Sequence, residues 1–352
     1  MFNRTNLNLV KLLCVPASLA LSIACVIPAA AAELNYHVTD TQHLDGDVKW
    51  DYLTFDKDGQ RLFIARGDHV DVFDLGSKIV TASIPNTNGV HGVALAPQMD
   101  RGFTSNGKDN SVTIFELSSL KVLGTVATDK KPDAIIFDPA SKRVFAANGD
   151  SMNFTVIDPV KQKRIGSIAL GGKPEFTAVD GEGKLFVNIE DTNQLVVVDT
   201  KKMRVLHKYD LSSVCDEPAG LSIDPATQTL FAGCHNQKMA VVDGRNGKIL
   251  ATPAIGKGSD ATAYDPASKL AFSSNGDGTL TVIGMNASRA FEVRQVVATV
   301  PTARTMALDP VSHKIYLVAA DTEIAEAPTE KNPHPRPKLK PGSFKLITVS
   351  PN

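Results

Sequence analysis

Apolar residues in this chain fall in short runs, each bounded by turn-forming polar clusters, and hardly any helical periodicity competes with them. The pattern recurs seven times. Each copy holds an apolar run, an Asp-Pro-type turn, a second run with an aromatic, a tight polar hairpin, and a third run ending in an acidic residue. The copies open at Asp51-Tyr-Leu-Thr-Phe-Asp, His91-Gly-Val-Ala-Leu-Ala, Asp133-Ala-Ile-Ile-Phe-Asp, Glu175-Phe-Thr-Ala-Val-Asp, Ala219-Gly-Leu-Ser-Ile-Asp, Asp260-Ala-Thr-Ala-Tyr-Asp and Arg304-Thr-Met-Ala-Leu-Asp. Subtracting successive numbers gives spacings of 40, 42, 42, 44, 41 and 44 residues. A period of this size built from strands alone predicts an all-β fold, a seven-bladed β-propeller with one four-stranded blade per repeat.

One copy serves as a template. Residues 134–137 form its inner strand and Asp138-Pro-Ala-Ser141 turns it. Residues 143–147 give the second strand, Asn148-Gly149 begins the hairpin, and residues 154–157 and 164–170 give the third and outer strands. Asn-Gly recurs at Asn106-Gly107 and Asn275-Gly276, where the sequence predicts tight reversals at positive φ. The second-strand aromatic recurs as Phe63, Phe103, Phe145, Phe186, Phe231, Phe272 and Tyr316, a regularity that marks packing between blades.

The seventh copy lacks a fourth strand after residues 344–349, and a strand-like stretch at residues 35–44 stands ahead of the first copy. Pairing the two closes the ring and removes open sheet edges. Truncation there is expected to destabilise the whole ring. The seventh copy also carries a Pro-rich insertion at about residues 320–342, either a solvated excursion or a docking arm whose basic part is His334, Arg336, Lys338 and Lys340.

Residues 1–32 read as a cleavable export signal, with Arg4 and Lys11 ahead of an apolar run and a small-residue stretch before Glu33. The run is too short and broken to span a bilayer, and no transmembrane segment is predicted. Ser22-Ile-Ala-Cys25 lacks the Leu usual before a lipidated Cys. Residues 33–352 are then one propeller domain, expected as a periplasmic monomer. With Arg4 and Lys11 removed, 35 cationic residues face 38 acidic ones, a charge of −3. That balance gives no general attraction to nucleic acid or anionic lipid. Cys215 and Cys234 remain as an even pair in an oxidising compartment. They fall at places that share one propeller face, so a disulfide is expected.

The residues that open the inner strands should form a ring at one mouth of the central channel: Asp51, His91, Asp133, Glu175, Ala219, Asp260 and Arg304. Trp50 flanks the first. Crowded carboxylates and a His can hold a hard cation, position a water, or grip a cationic or polyhydroxy ligand. Asp133, Glu175 and His91 are the candidate metal ligands. A polar, water-filled mouth stitched by Arg–carboxylate pairs is the plainer reading. A second ring follows from the hairpins: Arg66, Asn106, Asn148, Asn188, His235 and Asn275. Within it Asn188 has no following Gly to account for it, which makes it a candidate ligand residue. No phosphate-cradling loop, nucleophile elbow or haem-attachment motif is present, so no catalytic set and no organic cofactor is assigned, and a divalent cation stays open.

The copies resemble the YncE-like, YVTN-type seven-bladed propellers of bacterial periplasm. The carrying residues are Trp50-Asp-Tyr52, His91-Gly-Val93, Pro132-Asp-Ala134, Gly171-Gly-Lys-Pro-Glu175, Leu230-Phe-Ala-Gly-Cys234, Asp277-Gly-Thr-Leu-Thr-Val282 and Asn332-Pro-His-Pro-Arg-Pro337. The usual Tyr-Val-Thr-Asn wording is replaced here by Phe103-Thr-Ser-Asn106 and Phe186-Val-Asn-Ile189. The resemblance implies a secreted binding module for a small molecule or protein, with single-stranded DNA binding attributed to some members. More distant relatives by fold include lactone-hydrolysing propellers and heavy subunits of quinone-dependent amine dehydrogenases. The leading expectation is a binding scaffold whose site is the channel mouth. The alternatives are a metal-assisted hydrolase of the lactonase type, with His91 as base, and a single-stranded DNA binder.

Overall fold

The computed structural model describes residues 1–2, 35–46, 49–323 and 338–352. The expected signal segment, beyond its first two residues, and the centre of the Pro-rich insertion lie outside the described residues. No helix among the described residues is long and apolar enough to cross a membrane.

The described strands form seven four-stranded antiparallel sheets. In the third blade the order is Pro132–Asp138, Arg143–Asn148, Asn153–Asp158 and Lys163–Ala169, close to the template. Inner strands of successive blades touch all the way round, and the first blade touches the seventh. The middle strands are apolar on both faces and buried, whereas the outer strand Lys163–Ala169 is mostly exposed. The core therefore sits in the seams between blades. Phe145, Phe154 and Val156 of the third blade pack with Leu185, Val187 and Val196 of the fourth. All seven second-strand aromatics are buried, each contributing about 1.5–3 kcal/mol of apolar burial.

The ring closes as the sequence predicts. Tyr36–His43 pairs antiparallel with Lys345–Pro351 as the outer strand of the seventh blade. Tyr36 is 1% exposed and meets Phe272 of the sixth blade edge-on at 5.1 Å. Gln295 clasps the same residue from both sides, accepting from its N–H at 2.8 Å and donating to its carbonyl at 2.7 Å. The stems of the insertion continue the strand ladder, with the Glu323 N–H donating to the Lys338 carbonyl at 2.8 Å and the Lys340 N–H to that of Asp321 at 2.7 Å.

The recurrent acidic residues at strand ends are turn formers. Asp138 accepts from the Ser141 N–H at 2.9 Å, Asp265 from Ala267 at 3.1 Å and Asp309 from Val311 at 2.9 Å. The Asn-Gly expectation needs correction. Asn106, Asn148 and Asn275 do not have positive φ, nor do the glycines that follow them. These Asn are buried and their amides stitch the hairpin instead. Asn106 donates to Ser111 at 3.1 Å and Thr113 at 2.8 Å, and Asn275 to Thr279 at 3.0 Å and Thr281 at 3.1 Å. Gly107 is required by space, because a Cβ there would stand 2.7 Å from His91 Nε2. Cys234 ends the second strand of the fifth blade, the place Asn106 holds in the second. It forms the expected disulfide with Cys215, their Cα atoms 5.4 Å apart.

Candidate functional site

In blades two to six the pairing of the inner strand shifts register at its start. The shifts lie between Val90 and Val93, Pro132 and Ile135, Pro174 and Thr177, Pro218 and Leu221, and Ser259 and Ala261. Each interval contains the predicted ring residue, and irregularities of this kind re-aim side chains. The ring backbone is also clamped by the preceding blade. Ser105 Oγ donates to the Asp133 carbonyl, Ser274 Oγ to that of Arg304, and Thr305 Oγ1 to that of Asp51 at 3.0 Å. Asn188 does the same work in the fourth seam, donating to the carbonyls of Ala219 at 2.9 Å and Gly220 at 3.0 Å. It is fully buried there, and its Oδ1 meets no partner.

The ring side chains sort into three groups. Asp51, His91 and Asp133 converge, with His91 Nδ1 2.6 Å from Asp51 Oδ2 and 3.7 Å from Asp133 Oδ1. Their ligand atoms all lie within 4.8 Å of one another, so these three fit a divalent ion. Glu175 turns instead to Lys173 at 2.8 Å, and the same ammonium meets Glu190. Asp260 pairs with Arg304 at 2.9 Å, as a stitched mouth requires. Glu190 also stands with Glu217 and His235 in a second group of closely spaced donors, His235 Nδ1 lying 2.7 Å from Glu217 Oε2.

Burial raises the carboxyls of Asp51, Asp133 and Asp260, and each is raised further by another of the three. Burial and then the Asp133 charge push Glu175 up to about 8 against the pull of Lys173. For His91, burial works downward, but the Asp51 hydrogen bond and the Asp133 charge outweigh it and hold the imidazole above its usual value. Burial is the leading cause at each of these carboxyls, and His91, Lys173 and Arg304 pull against it.

Below the mouth lies an aromatic floor. Tyr52 of the first blade and Phe176 of the fourth meet at 5.0 Å and 87°, across the channel from one another. The Tyr52 phenol is raised well above its ordinary value by burial first and then by the charges of Asp260, Asp133, Asp51 and Glu175. Beneath the pair the channel is a cavity of about 320 Å³ lined by inner-strand residues such as Val93, Ala134 and Ile135. Beside the mouth, a groove of about 570 Å³ runs past Trp50, Asp51 and His91 and is rimmed by Lys49, Lys108, Lys130 and Lys131. Trp50 packs on Phe344 at 5.5 Å, and its buried Nε1 finds no acceptor among the described residues.

Sequence reasoning missed Tyr52, Phe176, Lys173 and Glu190. The signal for the first two was present. The position after each ring residue reads Tyr52, Gly92, Ala134, Phe176, Gly220, Ala261 and Thr305, so two large rings stand among small residues.

No family model matches the sequence, and no curated protein matches it. Among solved structures, hydrazine synthase of Kuenenia stuttgartiensis aligns with a TM-score of 0.68 at 15% identity, over 78% of this chain and 93% of that one. A chain from the crystal structure of the mitotic checkpoint complex aligns with a TM-score of 0.71 at 14% identity, over 98% of both chains. At such identities the likeness shows the propeller fold and nothing finer.

Proposed function

We propose that this chain is an exported periplasmic propeller of the YncE-like kind that binds a small molecule or a protein partner at the channel mouth. One observation carries the reading: Asp51, His91 and Asp133 converge at the start of the inner strands, the last two on bulges and the Asp51 and Asp133 carbonyls clamped by the preceding blade, with Glu175 and Asp260 on further bulged strand starts. Such a preorganised polar site on rigid elements is what ligand binding needs. The disulfide and the leader-like residues 1–32 support export. The test is a thermal-shift screen of metabolites and periplasmic extract fractions on wild type and on the Asp51→Asn/Asp133→Asn/Glu175→Gln variant. A ligand at one hundred times its Kd adds about 2.7 kcal/mol of stability. Stabilisation of wild type that disappears in the variant supports the reading, and ligands that stabilise both alike overturn it.

The convergence of Asp51, His91 and Asp133 favours a second reading, a metal-assisted hydrolase in which these three hold a divalent ion. It requires stoichiometric metal by mass spectrometry, lost in Asp51→Asn/Asp133→Asn, and lactone turnover that a chelator abolishes.

A further inference from the structure

The groove beside the mouth gathers lysines from three successive blades. Lys49 leads into the first blade, Lys108 stands in the hairpin of the second, and Lys130 and Lys131 lead into the third. Two carboxylates line the same groove, Asp51 and Asp150, and Asp51 is already held by His91 at 2.6 Å. The walls therefore carry an excess of positive charge. A volume of about 570 Å³ is that of a small-ligand site.

Glycines make room for the lysine stems. A Cβ at Gly89 would stand 2.7 Å from Lys108 Cγ, and one at Gly67 would stand 3.4 Å from Lys49 Cβ and Cδ. Lys131 adopts a φ of 56° where the second and sixth blades use Gly89 and Gly258, and its N–H donates to Asn110 Oδ1 at 2.8 Å. The fourth blade shows the same place with its charge consumed. There the Lys173 carbonyl accepts from the Glu190 N–H, as that of Lys131 accepts from Gly149, and Glu175 and Glu190 take the Lys173 ammonium. Gly149 has no side chain to offer, so Lys131 feels Asp133 only at longer range. The ammonium groups of Lys108, Lys130 and Lys131 form no hydrogen bond or close ion pair among the described residues. Such donors around one groove are matched by an anion, and charge-assisted bonds are the strong ones.

We infer that this groove seats a small organic polyanion, carrying carboxylate or phosphate groups, between Lys108, Lys130 and Lys131 with Trp50 beside it. The site goes beyond the binding role proposed for the mouth, because its cationic contacts lie outside the carboxylate ring. The test is isothermal titration of the full chain, stripped of metal with a chelator, at fixed pH. The probes are propane-1,2,3-tricarboxylate, inorganic pyrophosphate, and glycerol as an uncharged counterpart. At least one anion binds, more weakly as salt is raised, and glycerol does not. Binding of the tricarboxylate alone assigns a carboxylate ligand, and of pyrophosphate alone a phosphate one. Lys108→Gln/Lys131→Gln weakens the bound anion about tenfold or more. Lys257→Gln, at the place in the sixth blade that Lys130 holds in the third, leaves it unchanged. Thermal unfolding like that of wild type shows that both variants fold. Failure of both anions to bind, equal binding of glycerol, or an equal loss in Lys257→Gln, which would assign the effect to net charge, would each overturn the inference. So would an oligothymidylate that binds when neither small anion does.

Discussion

Replacing Cys215 and Cys234 together by Ser tests what holds the fifth blade. The bond closes a loop of sequence separation 19. In the chain-entropy model a loop of that size restricts the unfolded state by about 11 cal/mol/K, or about 3 kcal/mol at 25 °C. Native contacts add to this, because in the second and sixth blades the same strand-end position carries an Asn stitched to two hydroxyls of the third strand. In the fifth blade the corresponding third-strand residues are Lys238 and Ala240, which offer no hydroxyl. A Cys234→Asn variant therefore gains no replacement stitch and should lose as much stability as Cys234→Ser. Guanidinium unfolding, followed by the fluorescence of Trp50 and by circular dichroism, reads the loss as a lower midpoint at a similar slope. A double Ser variant within about 1 kcal/mol of wild type would refute the argument, and so would rescue by Asn.

Tyr36→Ala should cost about 3 kcal/mol or more, because it empties a seam that the ring fills against Phe272 and loosens the closing strand. Thermal unfolding checks it. Glu175 binds its proton up to about 8 in the folded protein, but only to its usual value when unfolded. Stability should therefore fall by as much as about 1.4 kcal/mol per pH unit between the two, and Glu175→Gln should flatten urea midpoints measured from pH 5 to 8. The groove of Lys49, Lys108, Lys130 and Lys131 supplies the segregated basic patch that nucleic-acid binding would require. Engagement of single-stranded DNA by those four would lose about fiftyfold in affinity from 50 to 200 mM salt, and a flat salt titration excludes that mode.

The architecture was legible because a repeat averages away ambiguity. Any one apolar run could be a buried helix turn, but seven copies with matching Asp turns and aromatics leave only blades. Ring closure was legible as a count, one strand missing at one end and one unpaired at the other. The ring positions of blades two to six were legible as the second residue of each inner strand, whereas Asp51 and Arg304 stand two residues ahead of theirs. What the sequence hid was the division of labour among them. Glu175 sits on the same kind of bulge as Asp133, yet it turns to Lys173, which Glu190 also meets, and that pairing across a hairpin leaves no local signature. Asn188 stood out as a candidate ligand residue because no Gly follows it, yet it sits one place earlier in its strand than Asn106 does and reaches across the seam to the carbonyls of Ala219 and Gly220. The Asn-Gly pairs were read through turn chemistry when the deciding facts were a buried amide and the approach of His91 to Gly107.

The closing pair sets the order in which this protein can be completed. Tyr36–His43 is made early, yet its partner Lys345–Pro351 is made some three hundred residues later. Until that segment appears, the seventh blade does not exist and the early strand has nothing to join. Completion thus waits on a contact of very long sequence separation, which is intrinsically slow. Meanwhile two sheet faces and a strand edge stand open to wrong partners. Folding of the finished ring therefore waits until Lys345–Pro351 has been made, and the interval before it is when a holding chaperone would matter most. The first strand of the ring to be made is the last to find its neighbour.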